Sequence, residues 1–215
     1  MAREGTRLKA VLVDGMGTLL RLVPPAPALA RALGIDEPTA ERAFRAEVAY
    51  YLEHQLEGSD TAALADLRAR CATVLAAAAG VDPDRALDAL MRSLHFEAFP
   101  DAAPALAELR SRGLRLVAVS NWDCSLPDVL ERIGLRGQLD AVVTSAVVGA
   151  SKPDARIFES ALAAAGCAAA EALHVGDSRE HDIEGARAAG IRALLIDRAG
   201  AGDLRSLGEL PALLS

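Results

Sequence analysis

The sequence predicts an α/β protein: a parallel sheet covered by helices on both faces, with a smaller all-α domain inserted into it. Two observations predict this. From about residue 100 onward, apolar β-branched runs alternate with helical stretches, the rhythm of strand–helix–strand units whose strands lie parallel. Ahead of that rhythm stands one isolated apolar run followed by a long helical block, so the lone strand must find its neighbours in the second half of the chain.

The elements follow in order. "KAVLVD" (9–14) is a short apolar run rich in β-branched residues and reads as a central strand. "PPAPALARALG" (24–34) breaks the pattern with three prolines, and residues 28 to 96 then read almost entirely helical. "EPTAERAFRAEVAYYLEHQLEG" opens at Pro38 and repeats apolar residues at helical spacing. "SDTAALADLRARCATVLAAAAG" starts with a Ser/Asp cap and stops at Gly80. "DPDRALDALMRSLHF" offers Asp82 as N-cap and Pro83 at the first helical position. Four helix–strand pairs come next: "PDAAPALAELRSRG" with "LRLVAVS", "SLPDVLERIG" with "LDAVVTS", "PDARIFESALAAAG" with "EALHVGD", and "EHDIEGARAAG" with "IRALLID". The expected division is a sheet-containing core of residues 1–20 and 97–215, with residues 21–96 as a helical cap.

Composition narrows the function classes. The chain has 215 residues, of which 52% are hydrophobic and 25% charged, as expected of a soluble globular protein. The net charge is −7 and no run of Lys or Arg forms a stripe, so nucleic acid and anionic membrane are poor partners. Cys71, Cys124 and Cys167 make no CxxC pair and leave an odd count, which speaks for a reducing compartment. The apolar run near the N-terminus ends at Asp14, too soon for a signal peptide, and no segment is long enough to span a membrane. A cytoplasmic location is expected; the oligomeric state is open.

In open parallel sheets, ligands sit outside the carboxyl ends of the strands. The polar residues expected there are Asp14 and Thr18, Ser120 and Asn121, and Asp177 with Asp182. Lys152 lies in the loop after "LDAVVTS". Only Lys9 and Lys152 among the 23 basic residues are lysines, and Pro153 looks set to open a helix, where a cation opposes the helix dipole. Singly, each residue has a plainer reading. A strand-end Asp caps a turn, the Asp177/Asp182 pair sits where helix starts favour acids, a lysine is solvated, and Ser120 completes a turn.

Together the four groups resemble the four motifs of the haloacid dehalogenase superfamily: "VLVDGMGTLL", "VAVSN", "SKP" and "VGDSREHDIEGA", in that order and at strand ends. The helical block after the first motif resembles the family's C1-type cap, and the sheet would be Rossmann-like. The resemblance implies that Asp14 is a nucleophile, forming a covalent aspartyl intermediate that splits one difficult hydrolysis into two steps. It implies Mg²⁺ as cofactor, held by Asp14, the backbone carbonyl of Met16 and Asp177, with Asp182 as a ligand or holding a metal-bound water; Mg²⁺ takes oxygen ligands of this kind. Lys152 would steady the nucleophile and the transferring phosphoryl group. Ser120 would donate its hydroxyl and Asn121 a backbone N–H to a phosphate oxygen, Gly15 and Gly17 would let the backbone approach the ligand, Thr18 would orient Asp14, and Gly185 would allow close helix packing.

Met16 departs from the pattern. The family's phosphatases carry a second Asp there, which protonates the leaving oxygen and then activates the hydrolytic water. Three readings follow. The first is a Mg²⁺-dependent phosphatase on a small phosphorylated metabolite, slowed, limited to good leaving groups, or using a substitute acid among Glu53, His54, Glu57, Asp60 and Asp123. The second is a 2-haloacid dehalogenase, since halide leaves without a proton; the family's dehalogenases, however, usually place an aromatic there and use no metal. The third is a non-catalytic binding protein that keeps the metal site. The phosphonate-cleaving branch needs a cap lysine, and no lysine lies between Lys9 and Lys152. Trp122 is expected to wall the pocket or to pack.

Overall fold

A computed structural model describes residues 7–214. Five strands form one parallel sheet: β1 (Ala10–Val13), β4 (Arg115–Ser120), β5 (Ala141–Thr144), β6 (Ala172–Gly176) and β7 (Arg192–Leu195), in the order β5-β4-β1-β6-β7. β1 is the middle strand and pairs with β4 and β6 in register, Val13 opposite Ala118 and Val175. All four β1 side chains are fully buried, and they alternate between two cores. Val11 and Val13 join one face with Leu106, Leu116 and Leu126; Ala10 and Leu12 join the other with Ile157, Phe158 and Ile183. That double burial explains why the run is continuously apolar rather than alternating. Strand order reverses about β1, so its carboxyl end opens on the crevice where such sheets take ligands.

The helices include α1 (Ala26–Leu33), α2 (Glu37–His54), α3 (Thr61–Ala79) and α4 (Pro83–Ser93) in the helical block, and α5 (Ala102–Ser111), α6 (Leu126–Arg132), α7 (Ser145–Val148), α8 (Ala155–Ala165), α9 (Gly185–Ala188) and α10 (Leu210–Leu213) beyond it. Local chemistry sets the ends. Asp36 accepts from the Thr39 N–H (2.8 Å) and Asp60 from those of Ala62 and Ala63, satisfying donors that a helix start leaves orphaned. Asp82 caps α4 with Pro83 in its first turn, and Gly80 ends α3 at φ 70°. α1 to α4 pack on one another around a core of their own that includes Leu29, Phe44, Leu67, Leu75 and Leu90. No helix among the described residues is long and apolar enough to cross a membrane.

Four local features differ from the sequence reading. The proline-rich stretch forms α1 rather than a break, because Pro25 and Pro27 sit at its N-terminal end, where a missing N–H costs nothing. β2 (Leu20–Leu22) and β3 (Phe96–Ala98) form an antiparallel ribbon that joins the two ends of the helical block, Leu20 opposite Ala98 and Leu22 opposite Phe96. Pro153 does not open a helix: α8 starts at Ala155 with Asp154 as its cap, so the dipole argument for Lys152 falls away. Asp182 lies in a π-helical turn, Arg179–Glu184, that precedes α9, rather than in the first turn of an α-helix.

Candidate active site

β1 delivers Asp14 to the carboxyl edge of the sheet, where its N–H still bonds to the Val175 carbonyl (2.9 Å). The chain then turns sharply: the N–H groups of Leu19 and Leu20 both bond back to the Gly15 carbonyl. Gly17 takes φ 81°, and a Cβ there would lie 1.9 Å from an Asp177 carboxylate oxygen, so the residue must be glycine on both counts. A Cβ at Gly15 would press on the Ser120 hydroxyl at 2.9 Å. Arg198 holds the turn from outside, donating to the Thr18 carbonyl (2.8 Å) while paired with Asp101 (3.0 Å).

The Lys152 ammonium sits at the centre. It is 4% exposed and donates to Asp14 Oδ1 (2.6 Å), Asp182 Oδ1 (2.6 Å) and the Val119 carbonyl (3.0 Å), using all three of its protons. Asn121 fixes the Lys152 backbone from both sides, accepting its N–H (2.7 Å) and donating to its carbonyl (3.0 Å). Ser120 Oγ donates to Asp14 Oδ1 at 3.3 Å. Gly185 makes room, since a Cβ there would lie 2.9 Å from Pro153 Cα. Thr18 is fully buried, but its hydroxyl has no hydrogen-bond partner among the described residues and does not bond Asp14.

Asp182 accepts three hydrogen bonds. Oδ1 accepts from Lys152 and from His174 Nε2 (2.8 Å), and Oδ2 accepts from the Ser178 N–H (3.0 Å). A carboxylate only accepts, so His174 carries its proton on Nε2. His174 is fully buried on β6 and meets the edge of Phe158. Its place here gives no sequence signal, because a lone histidine in an apolar strand also reads as core.

Asp14, Asp177 and Asp182 each offer an oxygen, all within 4.8 Å of one another, which suits a hard divalent cation. Three carboxylates face one ammonium, and the electrostatics reflect it. Burial pushes the Asp14 carboxyl up to about 6 against the pull of Lys152. Burial also raises Asp182, but hydrogen bonds from His174 and Lys152 outweigh it and hold that group below the usual carboxylate range. Asp177, exposed to solvent, is raised by desolvation and by Asp182. The Lys152 ammonium is held above its usual range: desolvation opposes this, but both carboxylates favour the charge.

The model of one protein family, described as haloacid dehalogenase-like hydrolase, matches residues 8–190. The chain belongs to the haloacid dehalogenase-like hydrolases. It is 41% identical over 128 residues to a phosphoserine phosphatase from Thermus thermophilus, covering 56% of this chain and 50% of that one. The match spans 38% to 56% of the length of this and two other curated relatives. Among solved structures it resembles a phosphatase of the family from Thermococcus onnurineus (27% identity, TM-score 0.68, covering 97% of this chain and 98% of that one). It also resembles a 2-haloacid dehalogenase from Pseudomonas syringae (26%, 0.68, 96% and 98%).

In this chain a cavity of about 480 Å³ lies between the helical block and the sheet edge, with Met16, Asn121, Trp122 and Asp123 among its lining residues. Met16 is 37% exposed. Trp122 packs against Phe96 at 5.2 Å between ring centroids and also walls the cavity. Most of the suggested substitute acids are engaged elsewhere. Asp60 caps α3, Glu57 pairs with Arg70, and His54 stacks on Tyr50 with Nδ1 at the Tyr50 carbonyl. Glu53 is exposed, and neither it nor His54, Glu57 or Asp60 lines the cavity. Asp123 does line it, but holds the Tyr51 hydroxyl (2.8 Å) and the Ser125 N–H (2.8 Å).

Glu47 lines the same cavity and was not singled out by the sequence. It is 6% exposed, and burial, eased only by a hydrogen bond from the Cys71 thiol, pushes its carboxyl up to about 7. A group raised from 4.5 favours folding below that pH and loses the contribution as pH rises through the folded value. Glu47→Gln is therefore expected to be more stable than the parent at pH 8, by on the order of 3 kcal/mol at most, with the gap closing toward pH 4.5. A gap independent of pH in thermal melts would show that Glu47 is not held this way.

Proposed function

We propose that this chain is a Mg²⁺-dependent phosphatase acting on a small phosphorylated metabolite through a covalent aspartyl intermediate at Asp14. The observation that carries the reading is the Asp14 carboxylate at the end of the middle strand, 2.6 Å from a buried ammonium and within ligating reach of an exposed carboxylate, Asp177. The names of the Thermus relative and the Thermococcus neighbour support phosphoryl chemistry.

The residues fit a hard cation. Asp14, Asp177 and the Met16 carbonyl would hold it, while Asp182, which already accepts three hydrogen bonds, would position Lys152 and a metal-bound water. Bound Mg²⁺ supplies positive charge for the phosphoryl oxygens. The chain's residues do the rest. Lys152 keeps Asp14 ionised despite its burial and offers charge to the phosphoryl group in transit. The Asp14 oxygen attacks phosphorus, the bond to the leaving oxygen breaks, and water then cleaves the aspartyl-phosphate. Ser120, already at Asp14, and the turn at Gly15 would meet a phosphate oxygen. Met16 contributes no proton, so leaving groups that depart as anions are favoured. The helical block acts as a cap over the site.

A dehalogenase reading draws on Met16 and on the Pseudomonas neighbour, but gives the Asp14–Asp177–Asp182 cluster no work. Phosphate release from an aryl, an acyl and an alkyl phosphate, with and without Mg²⁺, beside halide release from 2-haloacids, separates the two. Mg²⁺-dependent phosphate release, fastest with the aryl and acyl esters, is expected. Metal-independent halide release would replace this reading with the dehalogenase one, and silence in every assay would favour a binding protein.

A further inference from the structure

We propose, resting on the phosphatase reading, that the cavity beside Met16 is the leaving-group site and selects phosphate monoesters of aromatic, phenol-like alcohols that carry a hydrogen-bond donor for Glu47. Three independent features of the cavity converge on this class.

The first is its position. Met16 is two residues beyond Asp14, and Asn121 follows Ser120, the donor to Asp14; both line the cavity, so a group leaving Asp14's substrate has the cavity beside it. The volume of about 480 Å³ lies in the range of small-molecule pockets, roughly 300–1,000 Å³.

The second is its wall, which includes Leu22, Phe44, Val48, Leu90, Phe96 and Trp122. Of the polar groups in the lining, Tyr51 and Asp123 bond each other and Asn121 bonds the Lys152 backbone, so each hydroxyl of a sugar or polyol left without a partner here would cost about 1–3 kcal/mol. A flat hydrocarbon ring gains from the same contact. Arg68 is half-buried and Arg132 exposed, so the lining arginines are more accessible to water than Glu47. Glu47 and Asp123 are the deeply buried carboxyls of this wall; Asp123 already accepts from the Tyr51 hydroxyl and the Ser125 N–H, whereas Glu47 has the thiol of Cys71, a weak donor. A hydroxyl or amino group on the far side of the ring would supply the better partner.

The third is Met16 itself. With no acid at that position, a phenolate, which departs without a proton, is expelled more readily than an alkoxide. The apolar wall and the missing acid thus favour the same substrates, one by binding and one by chemistry.

The test separates binding from leaving-group chemistry by using inert phosphonates. Benzylphosphonate is expected to inhibit acetyl phosphate hydrolysis at least about tenfold more tightly than methylphosphonate, a difference of about 1.4 kcal/mol. Val48→Trp, which fills the cavity, is expected to collapse that ratio and to lower the phenyl phosphate to acetyl phosphate ratio of kcat/KM by a similar factor. 4-(Hydroxymethyl)phenyl phosphate is expected to be preferred over phenyl phosphate, and Glu47→Leu to remove the preference. Equal inhibition by the two phosphonates in the parent protein would overturn the proposal with no variant needed, and so would a preference for the hydroxymethyl ester that survives Glu47→Leu. Either result, with Mg²⁺-dependent release from acetyl phosphate intact, leaves the phosphatase reading standing. Absence of release from every ester is the failure of that underlying reading instead.

Discussion

Asp14→Asn is expected to abolish Mg²⁺-dependent phosphate release, with a loss of at least about 10⁴-fold, as for other enzymes that lose a covalent nucleophile. The fold should not suffer. Asparagine matches the carboxylate in shape, can still accept from Lys152 and Ser120, and leaves Asp182 paired with Lys152 and His174. Stability should move the other way. Burial lifts the Asp14 carboxyl from 3.8 to about 6, so its favourable contribution is complete below pH 3.8 and lost as pH rises through 6. In Mg²⁺-free buffer at pH 8 the variant is expected to melt no lower than the parent. Activity lost with stability kept would mark a group strained for chemistry rather than for folding. Phosphate release that survives the change, measured with an aryl phosphate, would remove Asp14 from the mechanism.

Met16→Asp is expected to raise turnover, and to raise it unequally. General acid–base catalysis contributes about 10²–10⁴ in rate. An alkyl phosphate, whose alkoxide needs a proton, should gain most of that range; an aryl phosphate should gain less in the first step and share only the faster clearing of the aspartyl-phosphate. The position can take the change, because Met16 is 37% exposed and faces a cavity rather than packed core, so a carboxylate there stays partly hydrated. Steady-state rates on matched alkyl and aryl esters decide the matter. A rise larger for alkyl than for aryl esters supports the missing-acid reading. No rise would mean that another group already moves the proton, and Glu47 and Asp123 are the carboxyls of the cavity wall that would then be tested by substitution.

Much of the fold was legible because its causes are local. The apolar runs of β1, β4 and β6 are buried on both faces and read as strands without any partner in view. Asp60 and Asp82 cap their helices through contacts two or three residues away, well inside the window that a sequence displays. The ribbon of β2 and β3 was not legible: each strand has three residues, too few for a period, and the pairing of Leu22 with Phe96 spans the entire helical block. The π-helical turn at Arg179–Glu184 was missed for a related reason, since its residues carry the same polarity as a regular helix start.

The candidate site divides the same way. Sequence alone determined which residue types stand at the strand ends, Asp14, Ser120 and Asp177, and that residue 16 offers a thioether in place of an acid. It also marked Lys152 as unusual, though for a reason that the structure removed. Only the tertiary structure decided what these residues do to one another. Lys152 is central because folding buries Asp14 and Asp182 on either side of it, not because of any helix end. Asp182 accepts from Lys152, His174 and Ser178 and so steadies the cluster. Glu47, among charged neighbours on α2, looks like a solvated residue until α2 packs against the rest of the cavity wall. The physical reason is common to all three. A strand end or a helix cap is fixed by neighbours a few bonds away, whereas burial, charge pairing and a shifted pKa depend on atoms that only folding brings together.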